Sequence, residues 1–288
     1  METVILNGEL IERKDASIDV EDRGYQFGDG IYEVIRVYNG KMFTAAEHLE
    51  RFQRSAENIG MNVSYSIGEL TALLQQLIEK NSLELGIVYM QMSRGISPRN
   101  HAFPAAETKP TLVAYTREMA RPEKNMQTGV KAMLTEDIRW LRCDIKSLNL
   151  LGNLLAKQKA VESGCFEAIQ HRGETVTEGS SSNILIVKDG KVLTHPANNL
   201  ILNGITRMQL EQICVNNNIP FEERTFTMNE MLLADEVIMT STTSEVMPVC
   251  EIDGKVVNEG VPGSVTQRLQ ELFTAEIEKQ CGEIVYSS

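Results

Sequence analysis

The chain has 288 residues, of which 42% are apolar and 24% charged, and carries a net charge of −12. That length and balance suit a soluble globular protein of two ordinary domains or one large one. The acidic excess argues against a nucleic-acid surface, which needs surplus cations to meet phosphates, but it leaves room for a small cationic pocket.

No window approaches the roughly eighteen consecutive apolar residues of a membrane-spanning helix. The first eight residues lack the basic start and apolar core of a secretory signal. Five scattered cysteines, with no Cys-x-x-Cys pair, read as reduced thiols. Four dispersed histidines suggest no zinc site. The expectation is an acidic cytoplasmic protein without a metal.

In chain order, Val4-Ile5-Leu6 and Leu10-Ile11 flank Asn7-Gly8 as a β-hairpin. A glycine-studded loop from Asp22 to Gly30 feeds a strand from Ile31 to Tyr38. Alternation places Tyr32, Val34, Arg36 and Tyr38 on one face, which suits either a pocket wall or a solvated side. A helix follows with His48, Leu49, Phe52, Ala56 and Ile59 in its stripe. Arg51 beside that stripe reads as a structural, snorkelling side chain. A second helix runs from about Gly68 to Lys80, and the strand Ile87–Arg94 leads into a Gly/Pro loop.

That loop holds Arg99 and His101, an arginine fork that matches a carboxylate beside a switchable imidazole. A plain exposed turn is the other reading of the same residues. The strand Thr111–Tyr115 precedes a polar stretch that reads as a linker. The domains expected are residues 1–118 and 126–288, joined by 119–125.

The second half begins with the strand Val130–Leu134. Lys146 then sits at a strand-to-helix junction, where rigid neighbours can position an amine for imine chemistry. The helix expected after it carries an apolar stripe of Leu148, Leu151, Leu154, Leu155 and Val161, and stops at Gly164. Hairpins follow around Gly173 and Asp189-Gly190, with Glu178 ending a strand beside Ser180, Ser181 and Ser182. Leu202-Asn203-Gly204-Ile205-Thr206-Arg207 opens another helix, where Thr206 serves as N-cap or as part of an anion site. The strand Glu236–Met239 runs into the hydroxyl-rich Thr240–Ser244, and a last hairpin and helix close the chain.

An amine, a carboxylate and two candidate phosphate cradles together match the needs of pyridoxal phosphate: an anchor for its aldehyde, an acid for its ring nitrogen and a seat for its phosphate. No glycine-rich nucleotide motif competes.

Five runs carry a closer resemblance: Asp22–Gly30, Ser97–Pro104, Asp137–Asn149, Thr175–Asn183 and Thr240–Glu245. Through them the chain resembles the fold-type IV pyridoxal-phosphate enzymes along essentially its whole length, and within them the D-amino-acid aminotransferase family. The resemblance implies an α+β fold with a small α/β N-terminal domain, a larger pseudobarrel C-terminal domain and the cofactor in the cleft between them. Lys146 would bind the cofactor covalently and shuttle the proton. Glu178 would hold the pyridine nitrogen, and Arg51, Ile205, Thr206 and Thr242 the phosphate.

Tyr32 would take the substrate α-carboxylate together with Arg99 and His101, which reach across from the other protomer in family dimers. Val34, Ser180, Ser181, Ser182 and Leu202 would line the pocket, and Arg36 would add positive charge. The implied reaction is ping-pong transfer from a D-amino acid such as D-alanine to 2-oxoglutarate, giving D-glutamate. Branched-chain L-aminotransferases and aminodeoxychorismate lyases share the lysine and glutamate; the Arg-x-His loop points to the D-amino-acid branch.

Overall fold

The computed structural model describes residues 2–284, and the chain divides into two compact units. The first takes the described residues up to Ala120, Ile145–Asn149 and the C-terminal end from Ile277. The second takes Arg121–Asp144 and Leu150–Glu276.

The first unit contains β1 (Thr3–Leu6), β2 (Glu9–Glu12), α1 (Arg23–Phe27), β3 (Gly30–Tyr38), β4 (Lys41–Met42), α2 (Ala45–Asn58), α3 (Ile67–Lys80), β5 (Gly86–Ser93) and β6 (Thr111–Glu118). Its six strands form one antiparallel sheet in the order β2-β1-β6-β5-β3-β4. The first hairpin turns at Asn7 and Gly8 with φ of 53° and 89°, the left-handed geometry that tight two-residue turns demand.

Period-two alternation divides β3. Ile31, Ile35 and Val37 enter a core with Leu49 and Phe52 of α2 and Leu70, Leu74 and Leu77 of α3. On the opposite face, Tyr32 stacks on Tyr89, which stacks on Tyr115. α3 starts at a capping box in which Ser66 and Glu69 satisfy each other's backbone N–H. The glycine-studded stretch expected as a loop contains α1, because Asp22 accepts from the Gly24 N–H and Gly28 ends the turn with φ 65°.

The second unit contains α4 (Glu123–Thr128), β7 (Val130–Glu136), α5 (Leu151–Glu162), β8 (Glu167–Arg172), β9 (Thr175–Gly179), β10 (Asn183–Lys188), β11 (Lys191–Thr194), α6 (Ile205–Asn216), β12 (Phe221–Glu223), α7 (Met228–Leu232), β13 (Glu236–Ser241), β14 (Glu245–Ile252), β15 (Lys255–Val256) and most of α8 (Ser264–Cys281). The sheet runs β12-β11-β10-β13-β14-β7-β8-β9, with β15 added to β14.

This sheet must curl. β9 and β10 lie five places apart along it, roughly 24 Å if flat at ~4.8 Å per strand. Yet only residues 180–182 join them, and four Cα steps of ~3.8 Å reach at most about 15 Å. The sheet therefore wraps towards a barrel around Ile169, Val176, Ile184, Ile186, Met239, Met247 and Val249.

Several expectations need correction. Within the polar stretch 119–125, residues 119–122 lie between β6 and α4, and α4 begins at Glu123. The leucine stripe of α5 does not enter a core: Leu151 and Leu154 are 71% and 60% exposed, and Leu155 and Val161 are also exposed. α5 instead packs through Ala156 and Ala160 against Ala168 of β8, because small side chains let the helix approach the sheet closely. Thr206 is not the N-cap of α6; Gly204 is.

Among the described residues, no helix is long and apolar enough to cross a membrane, and no group of three or more His, Cys, Asp or Glu is placed to hold a metal ion. All five cysteines are free.

Candidate active site

Lys146 does not sit at a strand-to-helix junction, since α5 begins five residues later and β7 ends ten residues earlier. It belongs to an extended segment pinned along β3 of the first unit. The Tyr32 N–H donates to the Lys146 carbonyl at 3.0 Å, the Leu148 N–H donates to the Gly30 carbonyl at 2.9 Å, and Ser147 bridges Ile31. The Lys146 N–H reaches the Ser55 hydroxyl at 3.3 Å. Ile145 and Ser147 are buried on either side, so the lysine is anchored from both directions. Its Nζ lies 4.3 Å from the centroid of the Tyr32 ring, an attractive cation–π distance, and makes no ion pair among the described residues.

Beneath the opposite face of β3, Glu33 is sealed in by α2. Its carboxylate accepts from Arg51 Nε at 2.7 Å and Nη2 at 2.9 Å, and from His48 Nδ1 at 2.7 Å. Burial alone would push the Glu33 carboxyl up, but the Arg51 charge and the His48 bond outweigh it and hold the group far below the usual carboxylate range. Burial lowers His48, with Glu33 pulling the other way; its Nδ1 lies at hydrogen-bond distance from the Glu33 carboxylate. Arg51 is therefore fixed in direction by a bidentate pair.

On the Tyr32 face, Val34 is half-buried and Arg36 is buried. Arg36 donates from Nη2 to the Met119 carbonyl at 2.8 Å and lies 5.4 Å from the Tyr38 ring centroid. Arg99 and His101 are exposed and meet on Phe27, at 4.3 Å and 5.6 Å from its ring centroid. Among the described residues of this chain, no hydrogen bond or ring contact joins either one to Tyr32 or Lys146.

In the second unit Glu178 is buried at the end of β9. One oxygen accepts from Arg139 Nη1; the other accepts from Asn183 Nδ2 at 2.9 Å and the Leu202 N–H at 3.0 Å. Arg139 also forks onto Asp137, which Arg172 and the Thr177 hydroxyl hold as well. Burial raises the Glu178 carboxyl to about 7, with Arg139 and the Leu202 N–H pulling the other way. Asp137 is driven low: Arg139 and Arg172 overcome its burial.

Near this acid, α6 opens with no side chain capping it. The backbone N–H groups of Ile205 and Thr206 have no partner within the helix at this end, and both residues are buried. α6 packs on β13, whose Thr240 hydroxyl is also buried without a partner. Gly204 is required here, because a Cβ would come within 2.1 Å of Asn183 Oδ1. Thr242 sits in the half-buried turn after β13. Orphaned N–H groups, an unpaired hydroxyl and the positive end of a helix dipole fit a phosphate.

Ser180 and Ser182 spend their hydroxyls on the buried Glu167, and only Ser181 of the three is exposed. Sequence reasoning gave no role to Arg139, Asn183 or Glu167, although Asn183 lies in the same run as Glu178. A buried acid at a strand end requires donors, and that requirement was the available signal.

Residues 30–252 match the family model described as amino-transferase class IV. The D-alanine aminotransferase of Staphylococcus aureus (strain MSSA476) is 55% identical over 278 residues, covering 96% of this chain and 99% of that protein. The branched-chain amino acid aminotransferase of Escherichia coli superposes with a TM-score of 0.90 at 28% identity, covering 96% of this chain and 95% of that one. The branched-chain amino acid aminotransferase of Thermoproteus uzoniensis, solved with norvaline, gives 0.85 at 28% identity over 94% and 93%. A further branched-chain enzyme, solved with pyridoxamine 5'-phosphate, gives 0.90 at 25% identity over 97% and 94%. The chain belongs to the class IV aminotransferases, with the two-domain α+β fold of fold type IV.

Proposed function

We propose that this protein is a pyridoxal-phosphate-dependent aminotransferase of D-amino acids, moving the amine of D-alanine to 2-oxoglutarate in two half-reactions. The observation that carries this reading is Lys146: an amine without an ion pair among the described residues, anchored from both sides and resting over the Tyr32 ring. The 55% identity to a D-alanine aminotransferase supports the choice of D-amino acids, where the lower identity of the branched-chain enzymes supports the fold.

When bound, pyridoxal phosphate supplies an electron sink for the substrate's α-carbon. Lys146 would be the group that holds its aldehyde, and as a free amine, once the substrate takes that place, would move the α-proton as base and acid. Glu178 pairs with the ring nitrogen; a buried carboxyl whose proton affinity is already raised gains most from a cation alongside. The first-turn N–H groups of Ile205 and Thr206, with Thr242 and the cationic Arg51, hold the phosphate, and Leu202 fixes Glu178 through its backbone. Tyr32 meets the substrate α-carboxylate, while Val34 and Ser181 flank the side chain.

The protein works as a homodimer in the cytoplasm, where Arg99 and His101 of the partner subunit complete the carboxylate trap. Two exposed features support the assembly: the Arg99–His101 tip and the leucine-rich outer face of α5. Five free thiols suit a reducing compartment. Pyruvate release from D-alanine, but not L-alanine, with 2-oxoglutarate as acceptor is the expected result. Turnover of L-alanine or L-leucine in preference would overturn the reading.

A further inference from the structure

We propose that Arg36 recognises the distal carboxylate of a five-carbon dicarboxylic substrate, so that the Tyr32 face of β3 measures substrate length. This rests on the aminotransferase reading above and adds the residue that selects the acid.

Arg36 is an exception among the buried arginines. Arg23 and Arg94 pair with Asp29, Arg51 with Glu33, Arg121 with Glu245, Arg139 with Asp137 and Glu178, and Arg207 with Glu223. Arg36 is 1% exposed and has no carboxylate partner among the described residues. One nitrogen reaches the Met119 carbonyl, while Nε and Nη1 are buried without any hydrogen-bond partner. A guanidinium stays charged when buried, so donors left open in a dry place are matched to an anion. Among the described residues, no carboxylate provides it.

The strand supplies the ruler. Tyr32, Val34 and Arg36 alternate onto the same face, with Lys146 Nζ over the first of them. Tyr32 and Arg36 are four residues apart, roughly 13 Å at ~3.3 Å per residue, and strand side chains stand nearly perpendicular to the sheet. A five-carbon diacid spans roughly 5 Å between its end carbons. Adding a C–O bond and a hydrogen bond of ~2.9 Å at each end brings the donor-to-donor reach to about 12–13 Å. Val34, apolar and half-buried, lies under the methylenes. The order of hydroxyl, apolar spacer and guanidinium fits glutamate and 2-oxoglutarate, and pyruvate would leave Arg36 unengaged.

The test uses the cofactor-loaded enzyme and two non-reacting probes, glutarate and pentanoate, titrated against the visible absorbance of the cofactor. Glutarate is expected to bind at least ~30-fold more tightly than pentanoate in the wild type, the scale of a buried charge-assisted hydrogen bond. The preference should collapse in Arg36→Met and return in part in Arg36→Lys. In steady state Arg36→Met should raise KM for 2-oxoglutarate by about 50-fold and KM for pyruvate by less than about threefold.

Equal losses with both acids in a folded variant would make Arg36 structural and overturn the inference. So would wild-type enzyme that binds glutarate no more tightly than pentanoate, a result that needs no variant to fold. Enzyme that prefers glutarate through Arg36 yet accepts only L-amino acids would overturn the D-amino-acid reading and leave this inference standing.

Discussion

Glu33 and Glu178 are both buried acids held by an arginine, one in each unit, and they are driven in opposite directions. Glu33 receives a two-pronged Arg51 and a His48 proton, which fill both its oxygens and hold it ionised. Glu178 must share Arg139 with Asp137, and its second oxygen has only the neutral donors Asn183 and the Leu202 N–H. Burial outweighs these partners and raises its carboxyl to about 7. A buried acid whose arginine is its own is a structural anion. One that shares its arginine keeps an appetite for another positive charge, which is what the ring nitrogen of the proposed cofactor site would supply.

The sharpest way to break this contrast is to remove each acid in turn. Glu33→Gln removes the buried carboxylate onto which Arg51 forks and should destabilise the protein by about 3–5 kcal/mol in chemical denaturation. Glu178→Gln should leave the fold nearly as stable and lower kcat/KM by about 100-fold, because in the proposed site the ring proton would lose its holder. If the two variants lost stability equally, the division between a structural and a functional acid would fail.

A subtler probe is pH. Glu178 is raised from 4.5 to about 7 in the folded chain, so folding favours its protonated form. Its contribution is fully present below pH 4.5 and is lost as pH climbs through 7. Cofactor-free protein should thus lose stability over that interval relative to Glu178→Gln, and adding the cofactor should reduce the loss. Parallel curves for the two proteins would contradict the raised value.

The smallest effect is expected at the surface. Leu154→Ser should change stability per protomer by no more than about 0.5 kcal/mol, as at other exposed positions, while shifting the proposed dimer towards monomer in sedimentation. A variant that stays dimeric would place the contact elsewhere.

How far these acids could be read in advance differs by residue. Local turn chemistry was legible: Asn7-Gly8 and Asp189-Gly190 mark hairpins because the backbone needs positive φ there. Periodicity revealed the α5 stripe but not what it faces, and the alanines between the leucines turned out to be the buried side. Lys146 stood out by resemblance, yet its support comes from β3, over a hundred residues earlier in the chain, and no local pattern encodes such a pairing. Arg139, the charged partner of Glu178, was hidden for the same reason, since it lies 39 residues away along the chain. Arg36 could be placed on a face by alternation, but its want of a counter-ion is visible only once every neighbour is in place.

The most direct test of the central claim is reduction of the yellow, cofactor-loaded protein with borohydride, followed by peptide mass mapping. The account predicts the reduced cofactor's mass on the peptide containing Lys146 and its absence from the Lys146→Ala protein. Covalent mass on a different lysine, or normal trapping in that variant, would contradict it.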